Sequence, residues 1–559
     1  MNQHGMKLEV DRRKELNEEL ASITFDLVVI GAGITGCGVA RDAAQRGLKV
    51  ALIDAKDIAY GTSSRSSKLI HGGLRYLELG EFGLVFESVS ERAILRKTAP
   101  HLVNAQGFLF PIFRHSPVSF WMLKIGLWIY EALSLFRSPK FHKSYSPKKA
   151  AAVEPLLSQS ELKGVALYWD CTTDDARLTM ETALSAREDG AVVGTWRKVT
   201  GLKREEGLVC GVEVSDEITG ETFEISSSFV VNATGPWTDS VRAMSKESSS
   251  LLRPTKGVHL VVDAARLPLE HAVVCTHPDD SRVMFAVPWG DRTYIGTTDT
   301  DCSDEPGAVR ATSEDVDYIL RTSGTYFPEA CLTRRDVIAT WAGLRPLVAD
   351  ENAVSESSVS REHQIVVDSS GLITVAGGKL TTYRRMGAEV VEKVIEAYRG
   401  RGIASPATEA SKTSSTPLLG AKGWPSGDDH QRVANRAVTL SNGAVGDRMA
   451  RHLVDRYGVC GIEIAASLNS ESATPIVQGR LEPWGLVRWA VERELATTLC
   501  DFMIRRTQIF FKDYDQGLGV AAKVAAHMGE LLGWSQERIE REIETYRSEV
   551  AMTRAWRDE

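Results

Sequence analysis

The sequence predicts an α/β fold with a parallel βαβ core near the N-terminus, an antiparallel second layer over it and an α-helical C-terminal part. The core rests on residues 25–55, FDLVVIGAGITGCGVARDAAQRGLKVALIDA, which read as an apolar strand, a glycine turn, a helix of small residues and a second apolar strand. The second layer rests on residues 251–350, where KGVHLVVDA, RVMFAVPW and TYIGTTDTD are joined by short turns such as Gly290-Asp291. The helical part rests on RVANRAVTLS, DRMARHLVDRYG, GLVRWAVERELATTLCDFMIRR, GVAAKVAAHMGELLGW and SQERIEREIETYRSEVAMTRAW, all of helical period. Before the core, KLEVDRRKELNEELAS predicts a short docked helix in an N-terminal extension, residues 1–24.

Gly31, Gly33 and Gly36 supply G-x-G-x-x-G spacing. The first glycine permits the tight turn, the second lets backbone approach a pyrophosphate, and the third lets the helix sit against the strand. The pyrophosphate then meets free N–H groups at the positive end of the helix dipole. Asp54, about 20 residues on, is placed to accept hydrogen bonds from an adenosine ribose. NAD and FAD share this fingerprint. The long polar loop that follows favours FAD, because a nicotinamide dehydrogenase would resume β–α alternation there. Residues 63–77, SSRSSKLIHGGLRYL, hold three cations, a histidine, two adjacent glycines and four serines but no acid. Such a loop can run along an extended flavin, with Thr62, Ser63, Ser66, Ser67 and Lys68 as polar contacts and His71 and Gly72 at the close approach. Downstream, an apolar strand ends in NATG at Gly235, and GLITVAGGKLTTY gives a strand, a glycine turn at Gly378 and the start of a long amphipathic helix. Lys379, Leu380 and Thr381 open that helix, whose N-terminus would stabilise negative charge on the pyrimidine edge of a reduced flavin.

The runs GTSSRSSKLIHGGLRYL, NATGPW, IGTTDTD, AGLRPL and GGKLTTYRRM occur in this order. With their separations they closely resemble the FAD-dependent glycerol-3-phosphate dehydrogenases of the aerobic, quinone-linked type. The resemblance covers the chain from about residue 25 to the C-terminal helices. It implies a Rossmann-like FAD-binding domain of the D-amino-acid-oxidase-like group, with an antiparallel substrate-binding sheet and an α-helical C-terminal domain. It also implies oxidation of sn-glycerol 3-phosphate to dihydroxyacetone phosphate by hydride transfer to FAD N5, with electrons leaving for a membrane quinone. Expected boundaries are a FAD-binding domain over 25–404, interleaved with a substrate sheet mainly in 251–350, a linker over 405–430, and a helical domain over 431–559 that covers part of the basic surface or contributes to a homodimer.

A phosphate monoester calls for fixed cations, and arginine's planar fork engages two oxygens at once. Arg75, Arg345 and Arg361 are the candidates by motif position, with Tyr76 beside Arg75. Arg361 matches more loosely, because His363 follows where the family carries an aromatic. Arg345 sits in the apolar run WAGLRPL, where an unpaired cation would be costly, so a fixed anionic partner is expected. Lys379, a cation at a helix start, opposes the dipole argument and is assigned a contact with flavin or substrate. Flavin oxidation of an alcohol also requires a base near the carbinol hydroxyl. His259 is the first choice, because histidine titrates near neutrality unaided. His71 is the rival.

Other classes recede on composition. A net charge of -8 argues against bulk nucleic-acid binding. Eight cysteines without a C-x-x-C pair fit reduced thiols in a cytoplasmic setting, with no structural metal expected. The N-terminus lacks a secretory apolar core, and no run of about 18 apolar residues spans a bilayer. Residues 121–149, WMLKIGLWIYEALSLFRSPKFHKSYSPKK, are instead apolar and aromatic at the start and basic at the end. That pattern suits an anionic membrane surface, so a peripheral position on the inner face of the cytoplasmic membrane is expected. Trp121, Leu127, Trp128, Ile129 and Phe136 would be immersed, and Arg137, Lys140, Lys143, Lys148 and Lys149 would meet head groups. The alternatives are an oxidase acting on the same substrate with oxygen and releasing hydrogen peroxide, and a non-enzymatic flavoprotein.

Overall fold

The computed structural model describes residues 9–77, 80–116, 118–245, 249–280, 282–349, 362–427 and 429–559. Its first sheet runs His363–Val367, Ile373–Gly377, Thr222–Asn232, Thr24–Ile30, Val50–Ile53, Val192–Gly194. The last five strands are parallel, and the His363–Val367 edge is antiparallel. The hairpin Arg197–Glu205 and Leu208–Asp216 leans antiparallel on Thr222–Asn232. Central strands such as Val50–Ile53 are covered on both faces, which is why they read as unbroken apolar runs rather than alternating ones. The Ile34–Gln45 helix leaves the glycine turn and crosses the Tyr383–Gly400 helix glycine against glycine: a Cβ on Gly387 would stand 2.6 Å from the carbonyl carbon of Gly38.

The second sheet runs Thr300–Asp301, Leu252–Asp263, Arg292–Gly296, Val283–Trp289, Ala272–Thr276, Asn104–Phe113, Leu162–Thr172, Leu69–Ile70. Val337–Val348 pairs along Leu252–Asp263, and Lys143–Tyr145 along Leu162–Thr172. The sheet therefore draws strands from 69–172 as well as from 251–350, and it contains one parallel pair, between Ala272–Thr276 and Asn104–Phe113. The pairing of Leu252–Asp263 with Val337–Val348 sets Thr255 opposite Arg345, Gly257 opposite Gly343 and His259 opposite Trp341. Alternation along each strand puts these odd-numbered residues on one face, so His259 and Arg345 share a face with two glycines between them.

Beyond residue 430 the chain is helical, ending in Leu518–Leu532 and Gln536–Arg554. The final turns return to the second sheet, where the Thr340 hydroxyl donates to the Thr553 carbonyl and Arg557 to the Val337 carbonyl. Residues 405–427 form an extended crossing held on the first sheet's helices rather than a free tether. The Thr408 amide donates to the Arg46 carbonyl, the Leu418 amide to the Thr98 carbonyl, and Arg41 to the carbonyls of Thr416 and Pro417. The N-terminal helix, Glu9–Ser22, is docked through Arg13, which donates to Asp216 at 2.9 Å, and through Leu20, which is fully buried.

One surface helix, Phe120–Leu133, buries Leu123, Leu127 and Tyr130. Leu127 therefore belongs to the core and not to an outward apolar face, while Trp121, Ile125, Trp128 and Ile129 are exposed. Among the described residues no helix is long and apolar enough to cross a membrane.

Candidate functional site

A cleft of about 400 Å³ opens between the two sheets. One wall is the glycine turn. Gly31 takes φ +103°, donates to the Ile53 carbonyl at 2.8 Å, and has no room for a side chain, because a Cβ would stand 2.7 Å from the Ala233 carbonyl oxygen. Gly33 lines the cleft at the helix start, and the first helical amide, Ile34, donates to the Ser63 hydroxyl at 2.9 Å. Gly36 does not line it. Its hydrogen faces the Gly31 carbonyl, 1.9 Å from where a Cβ would lie, so this glycine sets the distance between strand and helix. At the far end of the turn, Asp54 accepts from the amides of Ala32 (2.6 Å) and Lys56 (2.8 Å), and burial pushes its carboxyl up to about 6.

The polar loop forms the floor. Thr62, Ser63, Ser66, Ser67 and His71 all line the cleft. Thr62 donates to the Leu344 carbonyl at 2.6 Å, joining the floor to the second sheet. Ser66 is held from behind by Asp175, which accepts from its amide and its hydroxyl. The His71 amide donates to the Thr381 hydroxyl at 3.2 Å.

Two residues expected on the cofactor turn elsewhere. Lys68 points away from the cleft into the protein. Its ammonium meets Asp175 at 2.6 Å, donates to the Ser64 carbonyl and lies 5.2 Å over the Trp341 ring. A buried ammonium requires such a partner, and Asp175 supplies it from behind the loop. Gly72 is absent from the lining as well. A Cβ there would strike the Tyr130 hydroxyl at 2.2 Å, so helix packing explains the glycine. Tyr76, expected near substrate, is buried, with the Lys379 ammonium 3.7 Å over its ring. Arg361 lies outside the described residues, as does the side chain of Arg75.

The roof brings in Gly235, Gly378, Lys379, Leu380 and Thr381 from the first sheet's loops, and His259 and Arg345 from the second sheet. The His259 ring is 2% exposed, stacks on Trp341 with centroids 4.7 Å apart, and places Nε2 3.0 Å from the Ser67 hydroxyl. Its Nδ1 is buried without a hydrogen-bond partner. Desolvation, reinforced by the cations of Arg345 and Lys68, holds the ring well below the usual histidine range. The expectation that it titrates near neutrality unaided is thus corrected, because these surroundings disfavour the protonated ring. Arg345 meets Asp299 at 2.8 Å and donates to the Thr297 hydroxyl and the Thr298 carbonyl, each at 3.0 Å. The anion its apolar surroundings demanded is therefore supplied by Asp299. Gly257 makes room for this fork, since a Cβ would stand 2.5 Å from Arg345 Nη2.

Several lining residues escaped the sequence reading: Tyr60, Trp237, Thr297 and Lys198. Trp237 and Thr297 stand inside NATGPW and IGTTDTD, so the motifs held the signal. Tyr60 and Lys198 carried none.

These residues fit an FAD. Gly31, Gly33, Gly235 and Gly378 leave a cradle without side chains, helix amides face the turn, and Asp54 closes the nucleotide end. Among the described residues no cluster of His, Cys, Asp or Glu could hold a metal ion.

Comparison with known proteins agrees. The FAD dependent oxidoreductase family matches residues 26–384, and the C-terminal domain of alpha-glycerophosphate oxidase matches residues 411–539. A glycerol-3-phosphate dehydrogenase of Mycobacterium leprae is 39% identical over 95% of this chain and 89% of its own. An aerobic glycerol-3-phosphate dehydrogenase of Staphylococcus epidermidis is 34% identical over 98% of both chains. The crystal structure of the glycerol-3-phosphate dehydrogenase from Bacillus halodurans complexed with FAD superposes with a TM-score of 0.79 over 98% of both chains, at 32% identity.

Proposed function

The chain belongs to the family of FAD-dependent glycerol-3-phosphate dehydrogenases and oxidases, and from that premise we propose that it oxidises sn-glycerol 3-phosphate to dihydroxyacetone phosphate as a quinone-linked enzyme at a membrane surface. The observation that carries the reading is convergence: His259, Arg345 and Lys379 come from three separate segments and line one cleft together with the nucleotide cradle.

FAD, when bound, would supply the hydride acceptor and the redox chemistry that links the substrate to the electron acceptor. The protein's own groups do the rest. His259, neutral and buried, accepts the proton of the C2 hydroxyl, and its hydrogen bond to Ser67 together with its stack on Trp341 fixes the ring plane. Arg345, aimed by Asp299 and Thr297, binds the phosphate with the help of Arg75 and Arg361, named by their motif positions. Anchoring the phosphate also orients the carbinol carbon, which is worth a large factor in rate. Lys379, over Tyr76, adds positive charge where the substrate and reduced cofactor carry negative charge.

The acceptor and membrane parts rest on the exposed apolar face of Phe120–Leu133 and the basic residues after it. The deciding experiment is anaerobic. Addition of sn-glycerol 3-phosphate should bleach the flavin absorbance, and a short-chain quinone should restore it faster than air does. No bleaching would overturn the substrate assignment; hydrogen peroxide formed in step with turnover would move the acceptor to oxygen.

A further inference from the structure

The loop that follows Asp54 is gripped by the helical C-terminal part through charges sealed from solvent. Asp57, fully buried, accepts from Arg505 Nε at 2.5 Å and from Arg506 Nη1 and Nη2 at 2.5 and 2.8 Å. Arg505 turns its other edge to Asp501 at 2.7 Å. Asp501 in turn accepts from the amides of Thr497 and Thr498 and from the Trp196 indole, and Arg506 also donates to the Glu494 carbonyl. Both arginines lie on a π-helical turn, Asp501–Arg506. In an α-helix consecutive side chains diverge by about 100°, so two neighbours seldom reach one carboxylate; a π-turn redirects them, and such turns recur at functional sites.

What this clamp holds is the cleft wall. The Tyr60 amide donates to the Asp57 carbonyl, and Ala59, in the left-handed region at φ 64°, donates to the Ala32 carbonyl inside the glycine turn. Tyr60 lines the cleft with its ring 5.6 Å from the Arg505 guanidinium and 6.2 Å from the ring of Trp237, another lining residue. Asp57 thus stands between Asp54 and the Tyr60–Ser63 floor, and its partners come from more than 440 residues later in the chain.

We propose that Arg505 and Arg506 are positioning residues for FAD: by clamping Asp57 they hold residues 54–63 in the shape that accepts the nucleotide, so the helical C-terminal part is a component of the cofactor site. The proposal rests on FAD occupying this cleft and is independent of the substrate and acceptor assigned above.

The test is Arg505→Lys, which keeps the charge but loses the planar fork that faces Asp57 and Asp501 together. Titration of FAD into the variant should give a dissociation constant raised at least tenfold, with faster hydrogen exchange at amides 56–63. Tyr546→Phe, which removes a buried hydrogen bond to the Gln516 carbonyl inside the helical part, controls for lost stability and should keep wild-type FAD affinity. If Arg505→Lys lowers the melting temperature yet matches Tyr546→Phe in FAD affinity and exchange, the clamp is only structural and the proposal falls. Should Arg505→Lys not fold, the wild-type protein answers through exchange at limiting and saturating FAD. Protection of amides 497–507 by FAD supports the clamp, and protection confined to the cleft-lining segments overturns it. A purified protein with no affinity for FAD would instead sink the cofactor reading itself.

Discussion

At His259 the decisive quantity is desolvation. The folded ring sits well below 6.5, the ordinary value for an exposed histidine, so protonation is disfavoured in the fold relative to the unfolded chain. The sign follows: the group costs nothing above about pH 6.5, and its penalty grows as pH falls below that value, where the unfolded chain takes up a proton that the fold refuses. Flavin reduction by substrate should therefore show no His259 titration between about pH 6.5 and 8, with any acid limb lower. His259→Asn should slow that step on the order of 10²-fold while FAD content stays normal. A limb at pH 7 or above that disappears in the variant would contradict the neutral assignment. Arg345 and Lys379 stood out in the sequence because each stands where its residue type is locally out of place, and His259 because histidine is the residue type suited to a base. Lys68 was misread, since nothing in SSRSSKLIHGG tells which way its ammonium points and its partner Asp175 is 107 positions away. A sequence shows residue types in order, while the direction of a loop side chain is set by distant partners.

Among the elements, the crossing of Ile34–Gln45 over Tyr383–Gly400 ties the cofactor turn to the loop that carries Lys379. Inside an exposed helix, glycine to alanine would stabilise by roughly 1 kcal/mol. At Gly387 the sign reverses, because the new methyl would stand 2.6 to 2.9 Å from backbone atoms of Gly38 and Val39, which cannot step aside. Overpacking of this kind costs about 1–3 kcal/mol, and the displaced helix begins only a few residues after the cleft-lining Gly377–Thr381 stretch. Gly387→Ala should lower the midpoint of denaturant unfolding and release flavin earlier in the titration. An unchanged or higher midpoint would show that the helices can part without loss. This element was readable because glycine spacing, apolar runs and the closing acid lie within one continuous 31-residue stretch. The second sheet was only half readable. Its 252–263, 283–289 and 292–296 strands announce themselves in KGVHLVVDA, RVMFAVPW and TYIGTTDTD, but Asn104–Phe113 and Leu162–Thr172 pair across some 50 intervening residues that include two helices and a short strand. Local pattern carries no record of such pairing.

At the scale of the whole molecule, the proposed quinone-linked reading requires a membrane-facing surface on a chain with no spanning helix among its described residues. Trp121 is 73% exposed, Ile125 62%, Trp128 58% and Phe136 59%, and Phe82 and Phe86 on the neighbouring Phe82–Thr98 helix are exposed as well. A monomeric soluble surface rarely gathers so many large apolar side chains in one place. Arg137, Lys140, Lys143, Lys148 and Lys149 follow immediately, all exposed. Immersing the apolar face gains about 25 cal/mol per Å² buried, each cation near an anionic surface adds about 1 kcal/mol, and stable anchoring draws on two such signals together. The same face adjoins the site: residues Leu74–Leu77, which lead to Lys379 through Tyr76, pack against both Phe82–Thr98 and Phe120–Leu133. A quinone reaching the protein from the membrane would therefore arrive beside the cleft. Changing the five cations to glutamine should weaken binding to vesicles containing anionic lipid, remove its salt-sensitive part and lower quinone reductase activity on membranes, while anaerobic flavin reduction by substrate in solution keeps its wild-type rate. Adding Trp121→Ser and Trp128→Ser should remove the residual, salt-resistant binding that the cation changes leave. If the combined variant still floats with anionic vesicles at high salt, this face is not the anchor, and the exposed helices of the C-terminal part become the surface to test.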